Sequence, residues 1–165
     1  IRHLNQRADV AGQIRFIIAG RGEPSLEAAV TAAERDLGNL TTEIGFVTDQ
    51  RRQELYDQAH CVLLPYTSIN AQSGVLHDAY SQHLPVIATD IGPIGTTVRE
   101  HRSGWVIEPG SQSAIVDAIL TARSSPQSLA AAGVRAGAVA ENRTPDRIAA
   151  RLRDLYDELL SSRIA

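Results

Sequence analysis

The stretch from Pro65 to Ala88 reads PYTSINAQSGVLHDAYSQHLPVIA, and its reading decides the fold. The residues just before it, Cys61 to Pro65, form an apolar run that reads as a buried strand. A polar loop, Tyr66 to Gln72, follows. Ser73 to Gln82 carries Val75, Leu76 and Ala79 at helical spacing, which predicts a helix with those three residues inward. Pro85 to Thr89 is a second apolar, β-rich run. Strand, helix and strand in this order predict two parallel strands joined by a helical crossover.

The same alternation continues outward on both sides. Toward the N-terminus, Arg15 to Gly20 reads as a buried strand that ends in glycine. Ser25 is placed to cap a helix whose apolar face is Leu26, Ala29, Val30, Ala33 and Leu37, with Gly38 as its stop. Glu43 to Val47 is a further short strand, and Asp49 is placed to cap the next helix. Toward the C-terminus, Ile94 to His101 predicts a short helix and Gly104 to Ile107 a fifth strand. Ser111 caps a helix with Ile115, Ala118, Ile119 and Ala122 on one face. Leu129 to Ala140 is helical in pattern but holds Gly133 and Gly137, which weaken a helix. Thr144-Pro145-Asp146 opens a last helix with Ile148, Leu152, Leu155 and Leu159 as its apolar residues. This β-α-β-α order predicts an α/β chain, a parallel sheet with helices on both faces, over residues 1–165 as one domain.

Composition narrows the function. The 165 residues carry a net charge of −3, and no basic stripe of the kind nucleic acid requires is present, so nucleic acid is excluded as a partner. No apolar run is long enough to span a bilayer, and no apolar segment follows Ile1 to Arg7 as in a signal peptide. The chain holds no methionine, and a fragment of a longer protein is expected. A single cysteine, Cys61, lies in an apolar run and reads as a small buried hydrophobe. The five histidines show no metal-ligand spacing, so no metal is expected, and no G-x-S-x-G nucleophile elbow occurs.

In open α/β sheets, ligands bind at the carboxyl ends of strands. This directs attention to Gly20-Arg21-Gly22, Val47-Thr48-Asp49, Tyr66 to Gly74, Thr89 to Gly95 and Glu108-Pro109-Gly110. Ser73-Gly74 opens a helix whose first N–H groups have no intrahelical partner and whose dipole favours an anion. Gly74 lets a ligand approach the backbone, which suits phosphate. Asp78, one turn on, sits where a carboxylate could accept hydrogen bonds from two adjacent hydroxyls, as a ribose offers. A capped helix start and a solvated acid are the ordinary readings of the same residues. Arg21 follows a strand and could face phosphate; Glu23-Pro24 rule out a dinucleotide fingerprint.

At this level the sequence resembles the family 4, or group 1, glycosyltransferases of GT-B architecture. The likeness is carried by Phe16-Ile17-Ile18-Ala19-Gly20-Arg21-Gly22-Glu23-Pro24, Ile44-Gly45-Phe46-Val47, Gln53 to Ala59, Gln72-Ser73-Gly74-Val75-Leu76, Leu84 to Gly92 and Gly104 to Gly110. It implies a Rossmann-like three-layer α/β/α domain, the C-terminal half of a GT-B fold. It also implies a retaining transferase that moves a sugar from a nucleotide-sugar to a glycan, lipid or small-molecule acceptor. The UDP-, GDP- or ADP-linked donor is a substrate, and no cofactor is implied. The family's E-x7-E pair falls on Asn70, near the donor sugar and the implied catalytic position, and on Asp78, which meets the ribose; both depart from Glu. The resemblance places Gln72, Ser73, Gly74 and Val75 on the diphosphate and donor sugar, and Val47 on the base. Gly20 and Arg21 keep the strand-end loop assigned above. Thr96 stands where many relatives carry Glu. The acceptor, peripheral membrane association and part of the phosphate clamp would belong to an N-terminal domain and leading segment outside this chain, and a cytoplasmic setting is expected. A non-catalytic nucleotide-sugar-binding module and a GT-B sugar-nucleotide epimerase are the competing readings.

Overall fold

The computed structural model describes residues 1–7, 10, 12–68 and 73–162. The chain forms two compact units, Ile1–Gln58 and Ala59–Ala165.

The first unit runs α1 (Arg2–Asn5), β1 (Phe16–Gly20), α2 (Pro24–Asp36), β2 (Leu40–Ile44) and α3 (Asp49–Gln58). β1 and β2 pair in parallel from Phe16↔Leu40 to Gly20↔Ile44, with α2 as the crossover. Leu4, Val10, Leu37 and Leu40 are buried. The strand expected over Glu43 to Val47 lies three residues earlier. Its middle is Thr41-Thr42, polar by composition but β-branched and therefore at home in a strand. Glu34 of α2 holds it there by accepting from the Thr42 N–H at 2.8 Å. Gly45, at φ +133°, ends the strand in a conformation that L side chains rarely adopt. Helix α2 begins at Pro24 with Glu23 at the cap position, so Ser25 is not the cap. α2 buries none of its residues fully; Leu26 of its expected apolar face is 59% exposed.

The second unit runs β3 (Val62–Leu64), α4 (Gly74–Ser81), β4 (Val86–Thr89), α5 (Gly92–His101), β5 (Gly104–Ile107), α6 (Gln112–Ser124), α7 (Pro126–Glu141) and α8 (Pro145–Ser162). The sheet order is β3-β4-β5, all parallel. Central β4 is buried at every position, as a strand covered on both faces must be. β1 is not; Ile18 is half-exposed. Gly104 is required at the start of β5, because a Cβ there would lie 1.8 Å from the Val86 carbonyl oxygen. On one side of the sheet Ile87 and Ile107 pack with Ala118 and Ala122 of α6, and Ile115 and Ile119 pack against this cluster as expected. Leu76, Ala79 and Tyr80 of α4 are buried, whereas Val75, expected inward, is 41% exposed.

α7 is a full sixteen-residue helix despite its glycines, and the glycines have a reason. A Cβ on Gly133 would meet the His83 carbonyl oxygen at 2.4 Å, and one on Gly137 would meet the His83 ring at 2.3 Å. Glycine lets α7 approach α4's end at close range, and packing outweighs propensity. The apolar residues of α8 do not enter a core: Ile148, Leu152, Leu155 and Leu159 are about half exposed. Among the described residues no helix is long and apolar enough to cross a membrane. Each unit carries a parallel sheet with flanking helices, the Rossmann-like α/β layout expected from the sequence.

Candidate functional site

β3 ends at Leu64, buried to 2% exposure, and hands the chain to Pro65 and Tyr66. The chain re-enters regular structure at Ser73, whose extended backbone makes it the N-cap of α4. Its Oγ accepts from the Leu76 N–H at 3.2 Å and lies 3.1 Å from the Tyr66 hydroxyl. Ser73 is itself buried, at 5% exposure, so its side chain serves the helix start first. The next two amides, of Gly74 and Val75, have no intrahelical acceptor. Gly74 is exposed, and a Cβ built on it meets nothing within 4 Å, so the helix start opens to solvent at this point. Asp78 is half-buried one turn further along. Ser73, Gly74, Val75 and Asp78 are thus brought together on the first turns of one helix. Asn70 and Gln72 lie outside the described residues.

In the first unit, the carboxyl ends of β1 and β2 are joined where the Gly20 carbonyl accepts from the Gly45 N–H at 3.0 Å. Gly20 has φ +124°, a conformation that glycine alone adopts readily. Arg21 follows it, exposed, with no ion pair among the described residues. The Gly22 N–H donates to the Glu27 carboxylate at 2.9 Å, so this amide is already matched to an internal anion. Val47 sits in the loop between β2 and α3 rather than on the strand. In that loop Thr48, not Asp49, receives the α3 amide, from Arg51 at 3.2 Å. Arg51 is held between Glu43 and Glu54, and its guanidinium keeps both carboxyls below the usual carboxylate range.

At the carboxyl end of β4, Asp90 pairs with Arg99 of α5, which holds the Asp90 carboxyl below its ordinary value. Gly95 packs against this acid, since a Cβ would lie 2.5 Å from Asp90 Oδ1. The Thr96 hydroxyl donates to the Gly92 carbonyl at 3.2 Å. Burial pushes the Cys61 thiol up to about 12, so it is protonated and inert at neutral pH, as its apolar setting in the sequence suggested. Among the described residues no group of His, Cys, Asp or Glu is arranged to hold a metal. Sequence reasoning missed the Tyr66–Ser73 bond, because a contact seven residues apart across a loop leaves no periodic signal.

Residues 1–125 match the family model described as glycosyl transferases group 1. The chain belongs to this family. No curated protein matches its sequence. Among solved structures, Alr3699/HepE from Anabaena in complex with UDP-glucose is 22% identical with a TM-score of 0.74, covering 98% of this chain and 43% of that one. Sucrose-phosphate synthase from Thermosynechococcus elongatus is 18% identical with a TM-score of 0.71, covering 88% and 38%. The C-terminal domain of the group 1 glycosyl transferase LpcC from Francisella tularensis gives 16%, 0.56, 79% and 88%. At these identities the likeness concerns the fold. This group 1 chain spans about two-fifths of the length of the first two.

Proposed function

We propose that the chain is the C-terminal, nucleotide-sugar-binding half of a retaining glycosyltransferase that passes a sugar to a glycan, lipid or small-molecule acceptor. The start of α4 carries the reading. Two amides with no intrahelical acceptor, an open approach at Gly74 and a half-buried carboxylate one turn on suit a diphosphate beside a ribose diol. The Gly74 and Val75 N–H groups meet phosphate oxygens, and Asp78 accepts from the ribose hydroxyls. The family likeness supports Asn70 and Gln72 near the donor sugar, Val47 at the base, and Gly20 and Arg21 at a strand-end loop. HepE, which shares this fold, has been solved with UDP and with UDP-glucose, which favours a nucleotide-sugar substrate. The acceptor, and any peripheral contact with a membrane, fall to the rest of the protein.

A thermal-shift panel of UDP, GDP, ADP and their sugar conjugates tests the reading. A ligand that binds only the folded chain raises its melting temperature by mass action. A concentration-dependent rise with one base is the expected result. A flat response to every nucleotide at millimolar concentration would remove the proposal.

A further inference from the structure

We infer that Tyr66 is a phosphate-contacting residue of this same site, its hydroxyl anchored on Ser73 and its proton presented to the ligand. The inference rests on the nucleotide-sugar reading and extends it to a residue that neither the sequence pattern nor the family likeness singled out. It follows from counting protons. A hydroxyl owns one proton and two lone pairs. The Leu76 N–H fills one lone pair of Ser73 Oγ, and the Tyr66 hydroxyl lies 3.1 Å from the same atom. Between them the two hydroxyls own two protons, and their mutual bond uses one. One O–H is left to donate elsewhere. Ser73 is 5% exposed and Tyr66 is half-buried, so the outward proton belongs to Tyr66, with Ser73 donating to it. Chained hydrogen bonds of this kind polarise one another, which makes the terminal hydroxyl the stronger hydrogen-bond donor. The helix start therefore offers the Gly74 N–H, the Val75 N–H and a tyrosine O–H. All three can donate toward the ligand, and two of the three have no lone pair with which to accept. Such a set recognises a group that only accepts, such as a phosphoryl oxygen, and leaves the hydroxyls of the ribose to Asp78.

The test is calorimetric titration of UDP, GDP and ADP into the wild-type chain and into Tyr66→Phe, Ser73→Ala, the double variant and Asp78→Ala, with melting temperatures alongside. Tyr66→Phe deletes one oxygen and keeps the ring. It is expected to weaken the diphosphate that binds best by roughly two- to tenfold, the range for one hydrogen bond, with a small fall in melting temperature from the lost bond to buried Ser73. In the Ser73→Ala background the same substitution is expected to cost less, because the hydroxyl has lost its anchor. Identical affinity for wild type and Tyr66→Phe, or additive effects in the double variant, would overturn the inference. A wild-type chain that binds none of the three diphosphates would overturn the nucleotide-sugar reading as well. Weakening by Asp78→Ala without any effect of Tyr66→Phe would remove Tyr66 alone.

Discussion

Asp78 stands one turn inside α4, whose first residue Gly74 is exposed, and the role proposed for it rests on that position. The Asp78→Ala variant is expected to harm ribonucleotide binding more than folding, with a loss of about 1.5–3 kcal/mol of binding, the worth of a hydrogen-bonded carboxylate. Titration of the nucleotide identified by thermal shift checks this, and superimposable curves would refute it. Gly74→Val is expected to weaken diphosphate binding roughly tenfold or more while the fold survives, because the new Cβ enters open space rather than protein. Normal binding by that variant would place the anion elsewhere. Cys61 carries the reverse expectation. With burial pushing its thiol up to about 12, Cys61 forms far less thiolate at pH 8 than an ordinary cysteine. Native-state alkylation by iodoacetamide should therefore be slow and should become fast in denaturant; equal rates would contradict the burial. Ser73 as a helix cap and Cys61 as a buried thiol were legible in the sequence, because capping and apolar runs are local. The Tyr66–Ser73 and Gly22–Glu27 bonds were not, because each depends on where a loop returns.

Helices and strands were read well where one face meets a core and poorly where something else decides. α6 and β5 match their expected pattern, since Ala118, Ala122 and Ile107 all pack on the same cluster. β2 was displaced because Thr41 and Thr42 do not look apolar, although branching at Cβ suits them to a strand. α7 looked weak because the propensity cost of Gly133 and Gly137 is visible and the approach of His83 is not. That approach makes a sharp contrast testable. Gly137→Ala is expected to destabilise the chain by about 1–3 kcal/mol through overpacking. Combining it with His83→Gly should restore much of the loss, since the clash is with the His83 ring and glycine tolerates φ 56°. Gly133→Ala meets the His83 backbone oxygen instead, and the same second substitution should not rescue it. Urea unfolding of the singles and doubles decides the matter; equal rescue of both would disprove the ring contact. α8 supplies the opposite case. Its leucines have the right spacing for a core face yet stand half in water, so replacing Leu152 and Leu155 by Asp should shift unfolding by no more than about 0.5 kcal/mol each.

For the molecule as a whole, the parallel α/β class was legible because the order of elements is written along the chain. The division into two compact units was not, because nothing in composition changes between Gln58 and Ala59. The division matters less for activity than length, since the chain covers 43% of HepE and 38% of sucrose-phosphate synthase. We expect the 165-residue chain to bind a nucleoside diphosphate and to transfer no sugar. Transfer with retention requires an acceptor held against the anomeric carbon of the sugar, and such positioning can supply roughly 7–11 kcal/mol of the barrier reduction. The family likeness assigns the surface that holds the acceptor to the other half of the enzyme. Charge gives the second reason. A departing diphosphate needs cations, and fixed electrostatic stabilisation of this kind is often the largest catalytic effect. At the end of β1, Arg21 is exposed and has no ion pair among the described residues. One exposed guanidinium offsets little of a diphosphate's charge in water. The assay is incubation of the chain with labelled UDP-, GDP- and ADP-sugars and a broad acceptor set, beside the full-length protein. Binding without turnover is the expected outcome. Turnover near the full-length rate would show that these residues hold a complete active site, and the two-half account of the reaction would have to be abandoned.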